Sequence, residues 1–190
     1  MFNHLIKKIF IATLIFTTLI SCGKNKKTIK KTIIKTINQL KIKSTIPDVK
    51  VFIALDPECP LSQSYTKKIS QLHKKYHPKV LFVCFFPGDH YTDQEINLFV
   101  KKYNLNTEFF VDRKLIITKT FNASVVPEVF VLNNNYEIIY KGLIDNWIGE
   151  IGRKKQYINE EYLINAIEAA LNNNLPLINS TEAIGCLIEI

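Results

Sequence analysis

The sequence has only four cysteines among its 190 residues, and no two of them are spaced as Cys-x-x-Cys. Three positions after Cys59 stands Ser62, where a dithiol site would have its second thiol. A serine hydroxyl cannot resolve a mixed disulfide, so Cys59 cannot cycle through a local disulfide. His73 and His77 have no cysteine or carboxylate partner at ligand spacing and are expected on the surface of a helix. We predict neither a metal nor a cofactor.

The larger part of the sequence also lacks an excess of basic charge, although the whole chain has a formal net charge of +8. Residues 23–50 hold nine lysines and one aspartate, whereas the chain from residue 51 onward holds 14 basic and 16 acidic residues. A nucleic-acid-binding domain would need a basic folded face. The composition therefore predicts no nucleic-acid partner.

The apolar run at the N-terminus, Phe10 to Ile20, is too short to span a bilayer comfortably. Two lysines precede it, as in an export signal, and it runs into Leu-Ile-Ser-Cys22-Gly, which resembles the bacterial lipobox. That resemblance implies cleavage before Cys22 and a lipid anchor on its sulfur. We predict a lipoprotein signal peptide over residues 1–21 and a location at the bacterial cell envelope, attached to a membrane and facing the periplasm. A plain signal peptide or signal anchor is the alternative.

Residues 22–47 are predicted to be a lysine-rich tether, with a partly helical structure as an open alternative. Lysines beside a lipid anchor favour a solvated segment close to anionic lipid. Apolar residues recur within this segment at helical spacing, which instead favours an element packed on the domain. Both alternatives stay open on the sequence alone. The apolar positions are Ile29, Ile33, Ile34, Ile37 and Leu40.

The functional site is predicted in the stretch from Val51 to Tyr65. Val49 to Leu55 is β-branched and apolar, which predicts a buried central strand. Pro60 has no backbone N–H and suits the first turn of a helix. Cys59 is therefore expected at a helix N-terminus, exposed to solvent, where unpaired N–H groups favour the nucleophilic thiolate. The acidic neighbours at 56 and 58 oppose this, so we expect moderate activation, with an inert buried cysteine as the alternative.

One α/β domain is predicted over residues 48–175, followed by a tail over 176–190. Alternating strands and helices favour a parallel core, and a terminal hairpin adds an antiparallel edge. This is the element order of a thioredoxin-like domain, with a central mixed sheet flanked by helices. The predicted helices are Leu61–Tyr76, Thr92–Tyr103, Leu115–Phe121 and Glu160–Leu171, and the later strands are Lys79–Phe86, Glu108–Asp112, Val125–Leu132 and Glu137–Ile144.

Four groups of residues resemble the motifs of redoxins, a family with the thioredoxin-like fold. Asp56-Pro-Glu-Cys-Pro-Leu-Ser-Gln-Ser-Tyr65 resembles their active-site turn. Val125-Val-Pro-Glu-Val-Phe-Val-Leu132 is similar to the strand in which a cis-proline faces the reactive cysteine. Tyr140 to Asn146 resembles their edge strand and loop. Thr181-Glu-Ala-Ile-Gly-Cys-Leu-Ile188 resembles the Gly-Cys ending of one redoxin subgroup.

The resemblance implies a thiol-disulfide oxidoreductase whose partners are protein thiols, protein disulfides or a redox partner protein. Cys59 would attack the disulfide, and the hydroxyl of Ser62 could hydrogen-bond its sulfur. Cys186 is the candidate resolving thiol, although its pairing with Cys59 is left open. The partner's backbone would be held by three residues of the site, Pro60, Val126 and Pro127.

Two other functions stay open at this stage. A thioredoxin-fold module could use the same surface to hold a partner without turnover, which the serine at position 62 favours. A weak thiol peroxidase is the third hypothesis, although Asp56 stands where peroxiredoxins have the peroxide-activating Thr or Ser. Cys84 lies inside a predicted buried strand and is interpreted as a core residue. Trp147 is interpreted as a packing residue.

Overall fold

The computed structural model describes residues 26–42, 45–150, 153–154 and 157–189. The predicted signal peptide and the proposed lipid site at Cys22 lie outside these residues. No helix in the described part of the chain combines the length and the apolar character that crossing a bilayer requires.

A five-stranded mixed sheet forms the centre of the molecule, in the order β3-β2-β1-β5-β6. β1, β2 and β3 are parallel, while β5 pairs antiparallel with both β1 and β6. Every side chain of β1 is buried, as expected for a strand covered on both faces. The strands are β1 Val49–Ala54, β2 Val80–Pro87, β3 Glu108–Asp112, β4 Val125–Val126, β5 Glu128–Leu132, β6 Ile138–Gly142, β7 Ile148–Glu150, β8 Arg153–Lys154 and β9 Cys186–Leu187.

Helices cover both faces of this sheet and divide the core into two. The first core contains apolar side chains of α2, α3 and α5, and the second contains those of α1 and α4. A capping box formed by Thr92 and Glu95 starts α3. The helices are α1 at residues 26–39, α2 Pro60–Tyr76, α3 Asp93–Lys102, α4 Ile116–Phe121 and α5 Tyr162–Leu171.

The lysine-rich segment is a helix packed on the domain where the structure describes it. Ile33 and Ile37 of α1 are 0% and 1% exposed, and both belong to the second core. Lysines lie on its outer side, where Lys26 pairs with Glu137 at 3.2 Å and Lys30 lies over the ring of Tyr136. The apolar stripe at helical spacing therefore has a partner surface, which favours the packed element over the solvated segment for residues 26–39.

The strand predicted over Val125–Leu132 is wrong as a single element. Pro127 interrupts it, and the Val126–Pro127 bond is cis, as the resemblance implied. Proline has no N–H to donate to a sheet ladder, which ends the regular pairing there. The first part, β4, leaves the main sheet and pairs with β9 from the C-terminal tail. Only β5 continues in the central sheet beside β1.

Candidate functional site

Cys59 is the N-cap residue of α2, directly after the loop that leaves β1. The loop is held by the carboxylate of Asp56, whose Oδ1 accepts the backbone N–H groups of Glu58 at 2.7 Å and of Cys59 at 3.1 Å. The hydroxyl of Tyr91 donates to the same oxygen at 3.0 Å. Pro60 is the first helical residue, as predicted. These bonds fix the cysteine at the start of the helix.

The expectation that Cys59 is exposed to solvent is wrong. Its side chain is only 3% exposed and belongs to the second core. The thiol faces the backbone before the cis-proline, because Cys59 Sγ donates a hydrogen bond to the carbonyl oxygen of Val126 at 3.3 Å. The proline-led segment expected opposite the cysteine is therefore present. The predicted exposure fails because the C-terminal tail also covers this position.

Ser62 does not contact the sulfur in the way that the sequence suggested. Its side chain is fully buried, and its Oγ accepts the backbone N–H of Asp56 at 3.2 Å. Within the described residues, no hydrogen bond joins Ser62 to Cys59. The serine instead ties the first turn of α2 to the loop before it. This connection shapes the turn that carries the cysteine.

Cys186 is brought to Cys59 by the tail. In the antiparallel pair of β4 and β9, Val126 is opposite Cys186 and Val125 is opposite Leu187. Both cysteines are free thiols, and both lie beside Val126, since Cys59 Sγ donates to its carbonyl oxygen and Cys186 is its partner in the ladder. The pKa of Cys186 is raised to about 12, chiefly by burial and also by the neighbouring Cys59 and the Asp56 carboxylate. The thiols predicted as a possible pair therefore lie at the same backbone segment without being bonded.

Gly185 makes this close approach possible. A Cβ atom at this position would stand 2.7 Å from the carbonyl carbon of Val126 and closer still to its oxygen. Any side chain would force β9 away from β4. The backbone N–H of Ile188 donates to the carbonyl of Ser124 at 2.9 Å, which fixes the tail beyond the cysteine. The predicted Gly-Cys ending thus fits the cis-proline segment at both residues.

Before it reaches Gly185, the tail is held to the edge of the main sheet by a first anchor at Asn179 and Thr181. Lys141 of β6 donates its N–H to the carbonyl of Asn179 and accepts the N–H of Thr181 at 3.0 Å. Thr181 Oγ1 also accepts the N–H of Leu143 at 2.8 Å. Gly142 lies beneath this contact with φ +130°, and a Cβ there would be 3.0 Å from the Thr181 carbonyl carbon. The tail is therefore tied to β6 before it reaches the thiol.

Glu128 is a residue of the site that the sequence reasoning missed. It follows the cis-proline, is 4% exposed, and accepts the N–H of Ser124 at 3.1 Å. Burial raises the pKa of its carboxyl group, and its backbone hydrogen bonds and Lys141 oppose that shift. The available signal was a glutamate directly after the proline in an otherwise apolar strand. Its carboxylate holds the backbone of β4, which faces Cys59.

The remaining predicted residues lie away from the two thiols or serve packing. Cys84 is fully buried in β2 and accepts a hydrogen bond from Thr107 at 3.2 Å, and burial raises its pKa to about 12. The rings of His73 and His77 are 5.5 Å apart, and burial lowers the pKa of His73. Nowhere in the described ranges do three potential metal ligands cluster. Trp147 packs edge-on against Tyr65 at 5.5 Å.

An open cavity of about 350 Å³ lies between the active-site loop and the tail. Asp56 and Glu58 of the loop line one side, and Leu187 and Glu189 of the tail line another. Tyr91 contributes its ring and reaches Asp56. Because Val126 also lines it, the cavity extends to the backbone that faces the thiol.

No protein-family model matches this chain, and no curated protein matches it either. Solved structures do resemble it. The hypothetical protein SMc02350 from Sinorhizobium meliloti has a TM-score of 0.68 at 17% identity, covering 80% of this chain and 82% of that one. An uncharacterised conserved protein from Geobacillus kaustophilus has a TM-score of 0.65 at 18% identity, covering 75% and 77% of the two chains.

A thioredoxin-like protein in its oxidised form has a TM-score of 0.52 at 12% identity, covering 67% of this chain and 80% of that chain. Together with the sheet order and the cis-proline opposite a helix-start cysteine, this likeness defines the class. The chain has a thioredoxin-like fold. The predicted fold class is confirmed, and the resemblance to redoxins holds at the level of the fold.

Proposed function

We propose that this chain is a thiol-disulfide oxidoreductase in which Cys59 is the nucleophile and Cys186 resolves the mixed disulfide. The observation that carries the proposal is that the tail places Cys186 opposite Val126, whose carbonyl oxygen accepts a hydrogen bond from Cys59 Sγ. Cysteines this far apart in sequence meet only because the tail crosses from β6 to the active-site loop. The serine at position 62 removes the usual local partner, and the tail supplies a thiol in its place.

The surroundings of the two thiols assign their roles. Cys186 keeps its proton at neutral pH because burial raises its pKa to about 12. Cys59 is the N-cap residue of a 17-residue helix and faces the backbone segment before Pro127. The sulfur that attacks a disulfide is the thiolate. Cys59 therefore attacks first.

The reaction proceeds in two exchanges. The Cys59 thiolate attacks one sulfur of a protein disulfide, forms a mixed disulfide and releases the other sulfur, which takes up a proton as a thiol. Cys186 then attacks the sulfur of Cys59, releases the second protein thiol and passes its proton to it. The Cys59–Cys186 disulfide holds the oxidation that the substrate lost, so two electrons have moved to the substrate. A dithiol redox partner protein returns the pair to its reduced state.

The partner's backbone is held by the segment before Pro127. The N–H and C=O groups of β4 lie beside the thiol, and an extended polypeptide can pair with such an edge by strand addition. Pro60 starts the helix with no N–H to satisfy, so it leaves an apolar surface beside the cysteine. Val126, Pro127 and Pro60 therefore form the docking surface, and Glu128 keeps its backbone in place.

We further propose that the protein is exported and anchored by a lipid on Cys22. The support is the lysine-containing leader, the short apolar run and the lipobox-like sequence. Helix α1 is already present from residue 26, so a lipid four residues earlier would hold the domain close to the bilayer. Its exposed lysines would face anionic headgroups. The proposal is tested by the mass of the mature N-terminus, which a Cys22→Ala variant should leave unlipidated.

The catalytic proposal is tested by trapping with a model protein disulfide. The Cys186→Ser chain should accumulate a mixed disulfide on Cys59, because no thiol is left to resolve it. Cys59→Ser should form no adduct, and Cys84→Ser should turn over like the parent chain, since Cys84 is inert in the core. Mass mapping of the adduct gives the readout. A Cys59 that is labelled only after denaturation would contradict the proposal.

A non-catalytic binding module is the second candidate, because Cys59 is only 3% exposed. In that case, the surface of β4 and the active-site loop would hold a partner without exchange of disulfides. Cys59→Ser would then leave partner binding and cellular function intact. The oxidoreductase proposal expects both turnover and cellular function to be lost in the same variant.

A further inference from the structure

The C-terminal tail occupies the backbone edge at which a polypeptide substrate would have to dock. Residues 186 and 187 pair antiparallel with β4, and the N–H of Ile188 reaches Ser124. The tail thus lies along the cis-proline segment as an extended peptide, and its cysteine stands opposite Val126, whose carbonyl oxygen accepts a hydrogen bond from Cys59 Sγ. Its arrangement is the one that the first exchange requires of a substrate cysteine. The chain therefore contains an example of a docked peptide.

Each residue of the tail segment that lies along β4 shows which side chains the edge of β4 can accept at that position. The position before the cysteine admits no side chain, because a Cβ on Gly185 would collide with the carbonyl of Val126. The position after it is open, since Leu187 is 82% exposed. The next position is apolar, because Ile188 packs against the second core. The edge thus fits the pattern glycine, cysteine, any residue, apolar residue.

We propose that the tail is a built-in substitute for the substrate, and that the substrates of Cys59 are extended polypeptides whose cysteine directly follows glycine and is followed two positions later by an apolar residue. The inference rests on the proposed oxidoreductase function and adds the substrate class. Substrate and tail exclude each other at β4. β9 leaves when the polypeptide docks, and its return displaces the polypeptide and delivers Cys186 to the mixed disulfide.

The small size of β9 supports this exchange. Its ladder spans two residues on each side, whereas the central strands pair over five or six. The first anchor at Asn179 and Thr181 lies on β6 and does not depend on β4. The end of the tail can therefore open while the rest stays attached, which keeps Cys186 near the site. A short tether of this kind maintains a high effective concentration of the resolving thiol.

The substrate class is tested with peptides on the full-length Cys186→Ser chain, in which the tail cannot resolve the adduct. The peptide Thr-Glu-Ala-Ile-Gly-Cys-Leu-Ile-Glu carries a 2-pyridyl disulfide on its cysteine, and release of thiopyridone reports attack by Cys59. The matched peptide has valine in place of glycine. A small pyridyl disulfide without a peptide measures the reactivity of the thiol itself. We expect the glycine peptide to react faster by about 10-fold or more, equivalent to about 1.4 kcal/mol.

The outcomes separate the two proposals. Equal rates for the glycine and valine peptides, with Cys59 reacting normally, would overturn the substrate class and leave the oxidoreductase in place. No reaction with any of the three disulfides, the small one included, would overturn the proposed function and the inference with it.

A second variant tests whether the tail is the segment that shields Cys59 from solvent. Gly185→Ala should lift β9 from β4 and increase the rate at which N-ethylmaleimide alkylates Cys59, by about 10-fold if docking contributes about 1.4 kcal/mol. Glu182→Ala changes an exposed residue of the same tail and is the matched control. Equal alkylation rates of Cys59 in the two variants would overturn the assignment of the tail as the occupant of the edge.

Discussion

At the scale of single residues, the two cysteines of the site lie beside the same residue, Val126, but have different surroundings. Cys59 lies at the start of a helix and donates to the carbonyl oxygen of Val126, whereas Cys186 lies on a tail strand and is the ladder partner of Val126. Cys84 provides a comparison within the same chain, since it is fully buried and accepts a hydrogen bond from Thr107. The position of both Cys59 and Cys186 at the cis-proline segment, rather than the presence of a thiol, marks the site.

The raised pKa of Cys186 predicts how its reactivity depends on pH. Because burial and the neighbouring sulfur disfavour its thiolate, alkylation of Cys186 in the folded chain should still be rising above pH 9 and should have its midpoint toward pH 12. The unfolded thiol ionises near pH 9, so the tail contact is complete below pH 9 and weakens as the pH rises toward 12. Iodoacetamide rates mapped by mass spectrometry measure this. A plateau by pH 9, as in the denatured chain, would contradict it.

The buried carboxylate of Glu128 is predicted to position the backbone of β4, which faces Cys59. Glu128→Ala would leave the N–H group of Ser124 without its buried acceptor, which costs about 1–3 kcal/mol of unfolding free energy. Glu128→Gln keeps an oxygen acceptor at the same place and should lose much less. Denaturant unfolding measures stability, and the attack rate of Cys59 on a small disulfide measures the site. Equal stability of the alanine variant and the parent would show that the carboxylate does not hold β4.

Single residues were only partly predictable from the sequence. The start of α2 was predictable from Pro60, because proline lacks an N–H and this preference depends only on the local sequence. Ser62 was assigned to the sulfur because spacing alone cannot show that the Asp56 N–H is nearer. Glu128 was missed because a glutamate after a proline has no chemical signature until the backbone folds around it. The prediction that Cys59 is exposed was wrong because the residues that bury it lie far along the chain, in the C-terminal tail.

At the scale of secondary-structure elements, the arrangement of β4 and β5 explains why the tail reaches the Cys59 thiol. Pro127 separates β4 from β5, so β4 has a free edge that the central sheet does not use. The tail fills that edge after being fixed to β6 at Asn179 and Thr181. Local sequence predicted most helix and strand boundaries within one or two residues. The strand at Cys186 could not be found in this way, because its pairing partner lies 60 positions earlier and a two-residue strand has no periodicity.

The first anchor of the tail predicts the effect of a change outside the active site. Gly142→Ala places a Cβ against Thr181 at a residue with φ +130°, so the tail should detach from β6. We expect faster hydrogen exchange at the amides of Thr181 and Ile188 and faster alkylation of Cys59. Asn134→Ala, in the exposed turn between β5 and β6, is the control. Unchanged exchange at Ile188 would show that the two ends of the tail are held independently.

The whole molecule is a sheet with one helical layer on each face, and the lysine-rich helix belongs to the second layer. α1 and α4 together bury the face that carries Phe52, Phe85 and Phe130. The sequence alone did not decide whether α1 is packed on the domain or solvated, because its apolar stripe favours packing and its lysines favour solvent. The fold class itself was predictable, since the order of strands and helices leaves few arrangements.

The packing of α1 predicts that it contributes to global stability. Ile37→Ala removes a side chain that is 1% exposed in the second core, which should lower the unfolding free energy by about 2–5 kcal/mol. Lys35→Ala, on the exposed side of the same helix, should change it by less than about 0.5 kcal/mol. Denaturant unfolding with a single transition measures both. Equal midpoints for the two variants would mean that α1 is not part of the cooperative unit.

The most direct test of the central claim is to map the cysteines of the full-length chain after equilibration in thiol-disulfide buffers of increasing oxidation. The account predicts one disulfide, joining the peptides that contain Cys59 and Cys186, which forms and is reduced reversibly while Cys84 remains a free thiol throughout. Cys59 and Cys186 that stay separately alkylatable under every buffer would contradict it.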